Sequence, residues 1–581
     1  MNQTYALTAV AVVVLVTILL GALGLRMSRT TSDFYVASRT VGPRLNAAAV
    51  SGEYLSAASF LGVAGLVLLQ GPEMLWYPVG YTAGYVVLLA LVAAPLRRSG
   101  AYTLPDFAEA RLESRAVRRI AVLFVVGVGW LYLLPQLQGA GLTLEILTGA
   151  PEWVGGVVVA CAVSVAVAAG GMRSITFVQA FQYWLKLTAL LVPAFFLIGA
   201  WAGDGAPRAS FDAPAVFREH TSVTLAQDVR LTVREPLALT VTGQVDGRAH
   251  AAAPLTLEPG EHSVRARTRL EFTPGTPLPE ARADTGRAGS TWSRPPSGEP
   301  ERYRLYATYG LILATFLGTM GLPHVAVRFY TSPDGRAARR TTLVVLALVG
   351  GFYLLPTVYG ALGRIYAPEL ALTGDADAAV LVLPGRMLGG LLGELLGALL
   401  AGGAFAAFLS TASGLTMAVA GVLHQDVLTG RGVRGVRGFR PAALLAILVP
   451  LAVSTAATAV PVADAVGLAF AVSASSFCPL LVLGIWWRGL TPPGAVAGLV
   501  TGGGAALGAV LATRAGLAPA GWAHALLAWP AVWSVPLGFA TMAGVSLATR
   551  SRIPPGTAAV LARLHLPEAV AVAVGRAGSP R

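Results

Sequence analysis

Runs of about 20 apolar residues recur along the chain and polar positions gather between them, the repeat that bilayer-crossing helices need. Thirteen such runs are read at about 5–25, 46–69, 74–95, 117–147, 152–170, 174–202, 303–325, 340–366, 385–421, 441–460, 463–487, 494–513 and 524–549. The expected fold is an all-α polytopic membrane protein with 13 transmembrane helices. The first run, "ALTAVAVVVLVTILLGALGL", has no charge and no basic stretch before it. It is also longer than a signal-peptide core, so it reads as a retained span. Residues 203–302 interrupt the repeat with polar sequence rich in Pro and Gly. Within them "HSVRARTRLEF" (262–272), "VRLTV" and "LALTV" alternate, and "LEPGEH" and "VDGR" supply turns. This predicts a small antiparallel β-rich insertion, with a linker over 283–301. The pattern divides the chain into 1–202, 203–302, 303–549 and a tail at 550–581.

Charge adds an orientation. The chain of 581 residues is 12% charged with a formal charge of +13, and its basic residues are arginines except Lys186. In a soluble protein this balance would suggest nucleic acid; the distribution of the arginines excludes that reading. Short loops on one side hold Arg26, Arg29, Arg39, Arg44, Arg97, Arg98, Arg111, Arg115, Arg118 and Arg119. The same side continues with Arg173, Arg328, Arg336, Arg339, Arg340, Arg431, Arg434, Arg437 and Arg440. Opposite loops such as "QGPEM" and "TGAPE" have essentially none. The positive-inside rule then places the N-terminus outside the plasma membrane, the tail in the cytoplasm and the insertion outside. Cys161 and Cys478 lie in separate apolar runs and read as small buried packing residues.

Polar groups inside apolar runs mark cavities or interiors. Four clusters qualify. "AFAAFLSTASGLTMAVAG" (404–421) places Ala407, Ser410 and Thr411 at i, i+3 and i+4, on one side of a helical turn. "SGEYLSAASFLGVAG" (51–65) combines small residues with Ser56, Ser59 and the ionisable Glu53. "LPQLQGAG" (134–141) sets Gln136 and Gln138 beside Pro135, which should disturb its span. "ATFLGTMGLPHVAVRFYT" (314–331) holds Thr319, His324 and Arg328. Each hydroxyl has a plainer use in bonding back to its own helix. His324 reads as a satisfied structural residue near the cytoplasmic end, and Lys186 as a partner for Glu53 or a snorkelling side chain. No HExxH motif, nucleophile elbow or paired-carboxylate arrangement is present, so an enzyme is not expected.

The stretches "SDFYVASRTVGPRLNAAAVSGEYLSAASFLGVAGLV" (32–67), "GAYTLPDFAEARL" (100–112), "GTMGLPHVAVRFYT" (318–331) and "AFLSTASGLTMAVAGVLHQDV" (407–427) together resemble the sodium:solute symporter family. Within it they resemble the cation/acetate branch, which usually has Asp where this chain has Glu53. The resemblance implies a core of two inverted five-helix repeats, spans two to six and seven to eleven, with substrate and ion bound at broken helices. It implies a cation site formed by the carbonyls of Gly52, Leu55 and Ala407 and the hydroxyls of Ser410 and Thr411, an oxygen set suited to Na⁺. Ser56, Gln136 and Thr319 are candidates to line the substrate site, as neutral donors that hold a carboxylate without a buried Arg. Glu53 is the candidate carboxylate for a proton, should H⁺ replace Na⁺. The function implied is cation-coupled uptake of a short monocarboxylate such as acetate, propionate or pyruvate, with the lipid bilayer as the other partner and no cofactor. Transport of proline, a sugar or pantothenate is the alternative, and a transporter-like solute sensor a further one. The insertion is not inherited from the resemblance; it reads as structural or as a module for a partner the sequence does not identify.

Overall fold

The computed structural model describes residues 3–27, 36–211, 213–283, 301–428, 436–456, 462–515, 517 and 521–567. The linker at 284–300, Arg29, Arg431, Arg434 and the end of the tail lie outside them. The first half is built from α1 (Gln3–Met27), α2 (Pro43–Tyr54), α3 (Val63–Gln70), α4 (Trp76–Val87), α5 (Arg115–Thr148) and α6 (Glu152–Gly203). After the insertion come α7 (Glu301–Gly321), α8 (Pro323–Phe329), α9 (Gly335–Tyr366), α10 (Gly390–Val422), α11 (Val436–Ala456) and α12 (Val462–Trp486). Further helices follow, ending the membrane part with Ala531–Ala548.

Among the described residues, ten helices are long and apolar enough to cross a membrane, or eleven if α7 and α8 form one bent span. The count is lower than the thirteen expected runs because two pairs of neighbouring runs are each joined in one long apolar stretch, with a non-helical glycine, Gly71 or Gly171, at the expected division. The runs at 152–170 and 174–202 both fall in α6, which bends at Gly171 (φ 58°, ψ −163°), a backbone conformation open to glycine. The runs at 46–69 and 74–95 become α2, a break, and one apolar stretch over Ala58–Arg98. Pro135 does not interrupt its helix: α5 runs through it.

One helix lies at the centre. The most apolar window of α10 is 89% buried, against 28–56% for the windows of α1, α5 and α6. A helix that is small and apolar all round belongs inside a bundle, and α10 packs against α6, α1, α5 and α2. Outer faces carry exposed Leu123, Phe195 and Leu354, the surface a bilayer would cover. Cys161 is on such an exposed face, which corrects its reading as buried; Cys478 is buried as expected.

The insertion forms seven antiparallel strands: β1 (Thr221–Thr224), β2 (Val229–Val233), β3 (Leu237–Val245), β4 (Arg248–Leu257), β5 (Gly260–Val264), β6 (Arg269–Phe272) and β7 (Glu280–Ala283). The alternating stretch 262–272 is two strands rather than one. Arg267 adopts φ 65°, and Asp228 accepts from Arg265 and from the Ala266 amide, fixing a turn between them. Val264, Thr268, Leu270 and Phe272 face inward, while Ala266, whose place in the alternation would put it on the same face, is exposed at the turn. Leu372, from a short helix after α9, enters this core. Arg364 of α9 donates to the Ser210 and Ala213 carbonyls and to Leu68 at the end of α3, tying the insertion's entry to the helical core.

Candidate functional site

The helix that begins as α2 stops at Tyr54, and Leu55 leaves helical geometry (φ −74°, ψ 86°) before the chain turns helical again from Ala57. No proline causes the break; the run is made of small residues and carries Ser51 and Ser56 where a continuous apolar helix would have none. Carbonyls that lose their helical donors at such a break need other partners. At Gly52 and Leu55 the partner is Lys186 of α6. Its Nζ donates to the Gly52 oxygen, to the Leu55 oxygen at 2.7 Å and to Ser410 Oγ of α10 at 2.9 Å. Ser410 Oγ also approaches the Gly52 oxygen at 2.7 Å and the Ala407 oxygen at 3.1 Å. Lys186 and Ser410 are both inaccessible to solvent. Gly52 permits the approach: a Cβ there would collide with the Gln179 carbonyl of α6.

A second buried cation lies alongside. Arg328 of α8, 1% exposed, forms an ion pair with Glu53, 2% exposed. The guanidinium also donates to Gln179 Oε1 and, at 3.0 Å, to Thr176 Oγ1. Gln179 Nε2 then donates to the Ser410 carbonyl at 2.8 Å, and Thr411 Oγ1 to the Glu53 carbonyl at 2.6 Å. Gly414 makes room for the Glu53 carboxylate, which a Cβ at that position would strike. Through these bonds α2, α6, α8 and α10 share one polar network.

Beyond the break, aromatic rings line the interior. Tyr54 packs edge-on to Tyr85 with centroids 4.8 Å apart, Tyr81 stacks with Tyr353 at 5.9 Å, and Tyr132 meets His324 at 5.3 Å. Gln136 Oε1 accepts from the Ala57 amide at 3.1 Å, which supports the restart of the broken helix. Thr319 Oγ1 shares a 2.7 Å hydrogen bond with Tyr54 Oη and approaches the Thr315 carbonyl at the same distance. Among the described residues, Gln136 Nε2, Tyr85 Oη and both ring nitrogens of His324 are buried without a protein partner. Buried polar atoms of that kind ask for an explanation, and a ligand is one.

The expected residues are thus distributed as follows. Gly52, Leu55 and Ser410 converge on one point, the Lys186 ammonium. Ala407 touches that group through Ser410, and Thr411 turns to the Glu53 backbone. Ser56, Gln136 and Thr319 lie at the α2 break, on α5 and on α7 respectively, near the tyrosines. Three readings are corrected. Lys186 does not pair with Glu53, because Arg328 holds that carboxylate. Arg328 is a core residue rather than a loop charge, so the interior does contain an arginine. His324 is not a satisfied side chain. Tyr54, Tyr81, Tyr85, Tyr132, Tyr353 and Phe470 escaped the sequence reading, since an aromatic in an apolar run gives no signal of which way it faces. The oxygens around Lys186 are of a type that suits Na⁺, but three of them already accept from the ammonium, so this cage as arranged does not fit a sodium ion.

The second break, at Leu322 (φ −64°, ψ 120°), separates α7 from α8 by a bend of 43°. Pro323 accounts for it, because the residue before a proline is pushed to extended geometry.

Comparison with known proteins places this architecture. The sequence pattern of the sodium:solute symporter family matches residues 34–239 and 297–502, more than half of the chain. An uncharacterised symporter of Bacillus subtilis is 27% identical over 93% of this chain and 93% of its own length. A monocarboxylic acid transporter of Corynebacterium glutamicum is 28% identical over 89% of this chain and 86% of its own. An uncharacterised symporter of Cupriavidus necator reaches 30% over 90% and 88%. Among solved structures, a Na⁺-coupled sialic acid symporter in a substrate-bound outward-open state superposes with a TM-score of 0.58 at 14% identity, covering 93% of this chain and 98% of that one. The family's range omits most of the β insertion, in keeping with its separate core. The chain belongs to the sodium:solute symporter family.

Proposed function

We propose that the protein imports a short monocarboxylate, such as acetate, propionate or pyruvate, by cation-coupled symport. The observation that carries this reading is the charge of the buried network. Arg328 is matched by Glu53, while Lys186 adds a positive charge with no carboxylate in hydrogen-bond contact. Nearby stand neutral donors, Gln136 Nε2, Tyr85 Oη and His324, whose hydrogen-bonding capacity is unspent. A small anion complements both features, and a neutral sugar complements only the second. The 28% identity to a monocarboxylic acid transporter supports the same substrate class. Ser56, Gln136 and Thr319 remain the proposed lining residues.

Sodium is the coupling ion that family membership supports. A proton is the second reading, and the contacts of Lys186 are the observation that favours it. The five-plus-five inverted repeat is supported by the two broken elements, at Leu55 and at Leu322, which open the two expected halves. With the arginine distribution, it gives an N-terminus and an insertion outside and a tail inside. On that topology a cysteine at Glu258 reacts with an impermeant thiol reagent in intact cells and one at Arg552 does not; the opposite pattern rejects it. The substrate class is tested by competition for labelled acetate uptake in proteoliposomes. Propionate or pyruvate should inhibit, and glucose, proline and pantothenate should not; selective inhibition by one of the latter three transfers the protein to another solute.

A further inference from the structure

We propose that the cleft between the end of α12, the end of the last span (Ala531–Ala548) and the tail helix (Thr557–His565) holds the phosphodiester headgroup of an anionic phospholipid. This site is separate from the path of the solute and takes from the reading above only the leaflet it faces, the cytoplasmic one.

The tail helix is fastened to the end of α12 and to residues 98–113. Arg111, 1% exposed, donates to the Gly484 carbonyl at 2.9 Å, to the Trp487 carbonyl at 3.0 Å and to Thr557 Oγ1 at 3.2 Å. Arg563 donates to the Arg98 carbonyl at 3.1 Å, and Arg98 in turn to the Leu564 and His565 carbonyls at 3.4 and 3.2 Å. Glu113 accepts from the Gly556 amide at 3.2 Å. Beside these bonds lies a cleft of about 480 Å³, with Trp487, Arg488, Leu547, Arg550, Ile553 and Thr557 in its walls. The bonds hold the walls in place, so a ligand there meets a preorganised site.

Its chemistry asks for an anion. Arg98, Arg111 and Arg563 are spent on backbone carbonyls, whereas Arg488 and Arg550 are exposed and, among the described residues, have no hydrogen-bond or ion-pair partner. Thr557 and Ala558, the first residues of the tail helix, also line the cleft, and the N-terminal end of a helix favours negative charge. No acidic residue lines it. Two guanidinium forks therefore face a phosphate, while the ammonium of a zwitterionic headgroup would find no carboxylate. The setting selects a lipid over a free anion. Trp486 and Trp487 stand at the end of α12, as tryptophans do at headgroup depth. Leu547 in the cleft wall and Leu537 further along the last span are both exposed, giving an acyl chain an apolar path into the bilayer. Free phosphate would use the charges alone. Basic pockets at the cytoplasmic ends of spans suit anionic headgroups, and a lipid seated here would join α12, the last span and the tail helix.

The test uses the purified full chain in a neutral detergent, with dioleoylphosphatidylglycerol, dioleoylphosphatidylcholine or inorganic phosphate added. Bound lipid is counted by native mass spectrometry and the thermal midpoint is recorded alongside. Phosphatidylglycerol should bind at a defined stoichiometry and raise the midpoint, and phosphatidylcholine should do neither. Arg488→Gln combined with Arg550→Gln should weaken phosphatidylglycerol binding about tenfold or more. Arg339→Gln combined with Arg340→Gln removes two exposed arginines at the start of α9 and should leave that binding unchanged. Should the cleft variant fail to fold, Arg550→Glu alone is measured in its place, with the same loss expected. Equal binding of the two lipids overturns the proposal, as does undiminished binding in the cleft variant or an equal loss in the α9 variant. Inorganic phosphate that binds as tightly as the lipid, and displaces it, overturns it as well, making the cleft a site for free anions.

Discussion

Two buried cations sit in one network and are treated in opposite ways. Arg328 meets a carboxylate, Glu53, and its remaining donors reach Thr176 and Gln179. Lys186 meets two backbone carbonyls and a hydroxyl, with no counter-ion in contact. The guanidinium cannot give up its proton in a protein, and it is planar and forked, which suits a permanent ion pair. An ammonium titrates readily when buried. The difference separates a charge fixed by a counter-ion from one held by neutral oxygens alone.

Breaking the pair should have the largest effect. Removing one partner of a buried ion pair strands the other charge and costs about 3–5 kcal/mol. Arg328→Met should therefore lower the thermal midpoint of the purified protein far more than Lys186→Met, which leaves only neutral oxygens short of a donor, at about 1–3 kcal/mol. Equal destabilisation by the two would mean that Lys186 is as structural as Arg328, and the distinction would collapse.

A smaller effect separates two hydroxyls on α10. Thr411 Oγ1 donates across to the Glu53 carbonyl, while Thr416 Oγ1 is buried without a partner among the described residues. Thr411→Ala should cost about 1 kcal/mol, or roughly a fivefold loss of gradient-driven uptake if the bond belongs to the working state. Thr416→Ala should change uptake and thermal midpoint little. Comparable losses in both variants would remove the special place given to the α2–α10 contact.

The outer domain offers the mildest contrast, a cation held where water reaches it. His262 Nδ1 lies 2.7 Å from Asp246 and Nε2 2.8 Å from the Glu258 carbonyl. Burial alone would lower its pKa, but the Glu258 carbonyl and the Asp246 carboxylate outweigh that and raise it above the ordinary 6.5. A raised pKa adds stability that is complete below the unfolded value and is lost as pH rises through the folded one. The insertion should thus loosen slightly as pH rises past neutrality, read as faster amide exchange in β3 and β5. Asp246→Asn should flatten that dependence; an unchanged profile would dismiss the His262 contribution.

Much of this architecture is legible in the sequence because it follows from periodicity. Apolar runs locate the helices, alternation locates the strands, and the Ser410 and Thr411 hydroxyls of 404–421 do lie on the side of α10 that meets α2. The turn at Arg267 and the bend at Gly171 are local backbone events inside otherwise regular patterns, so hydropathy passes over them. The partners of Lys186 and Arg328 were hidden for a different reason. Glu53 is 133 residues from one and 275 from the other, and only the packing of α6 and α8 against α2 decides which cation it meets. Arg328 also follows His324 by four residues near a basic loop, a place where arginine ordinarily marks the cytoplasmic side.

The most direct measurement exploits the composition of the chain, which has a single lysine. Isotope-labelled lysine gives one side-chain nitrogen signal in the purified, membrane-reconstituted protein. The account predicts an ammonium, protected from solvent exchange, whose signal is unmoved when Na⁺ replaces choline at constant ionic strength. A neutral amine in the substrate-free protein, or a signal that shifts saturably with Na⁺ and stops shifting in Ser410→Ala, would contradict it.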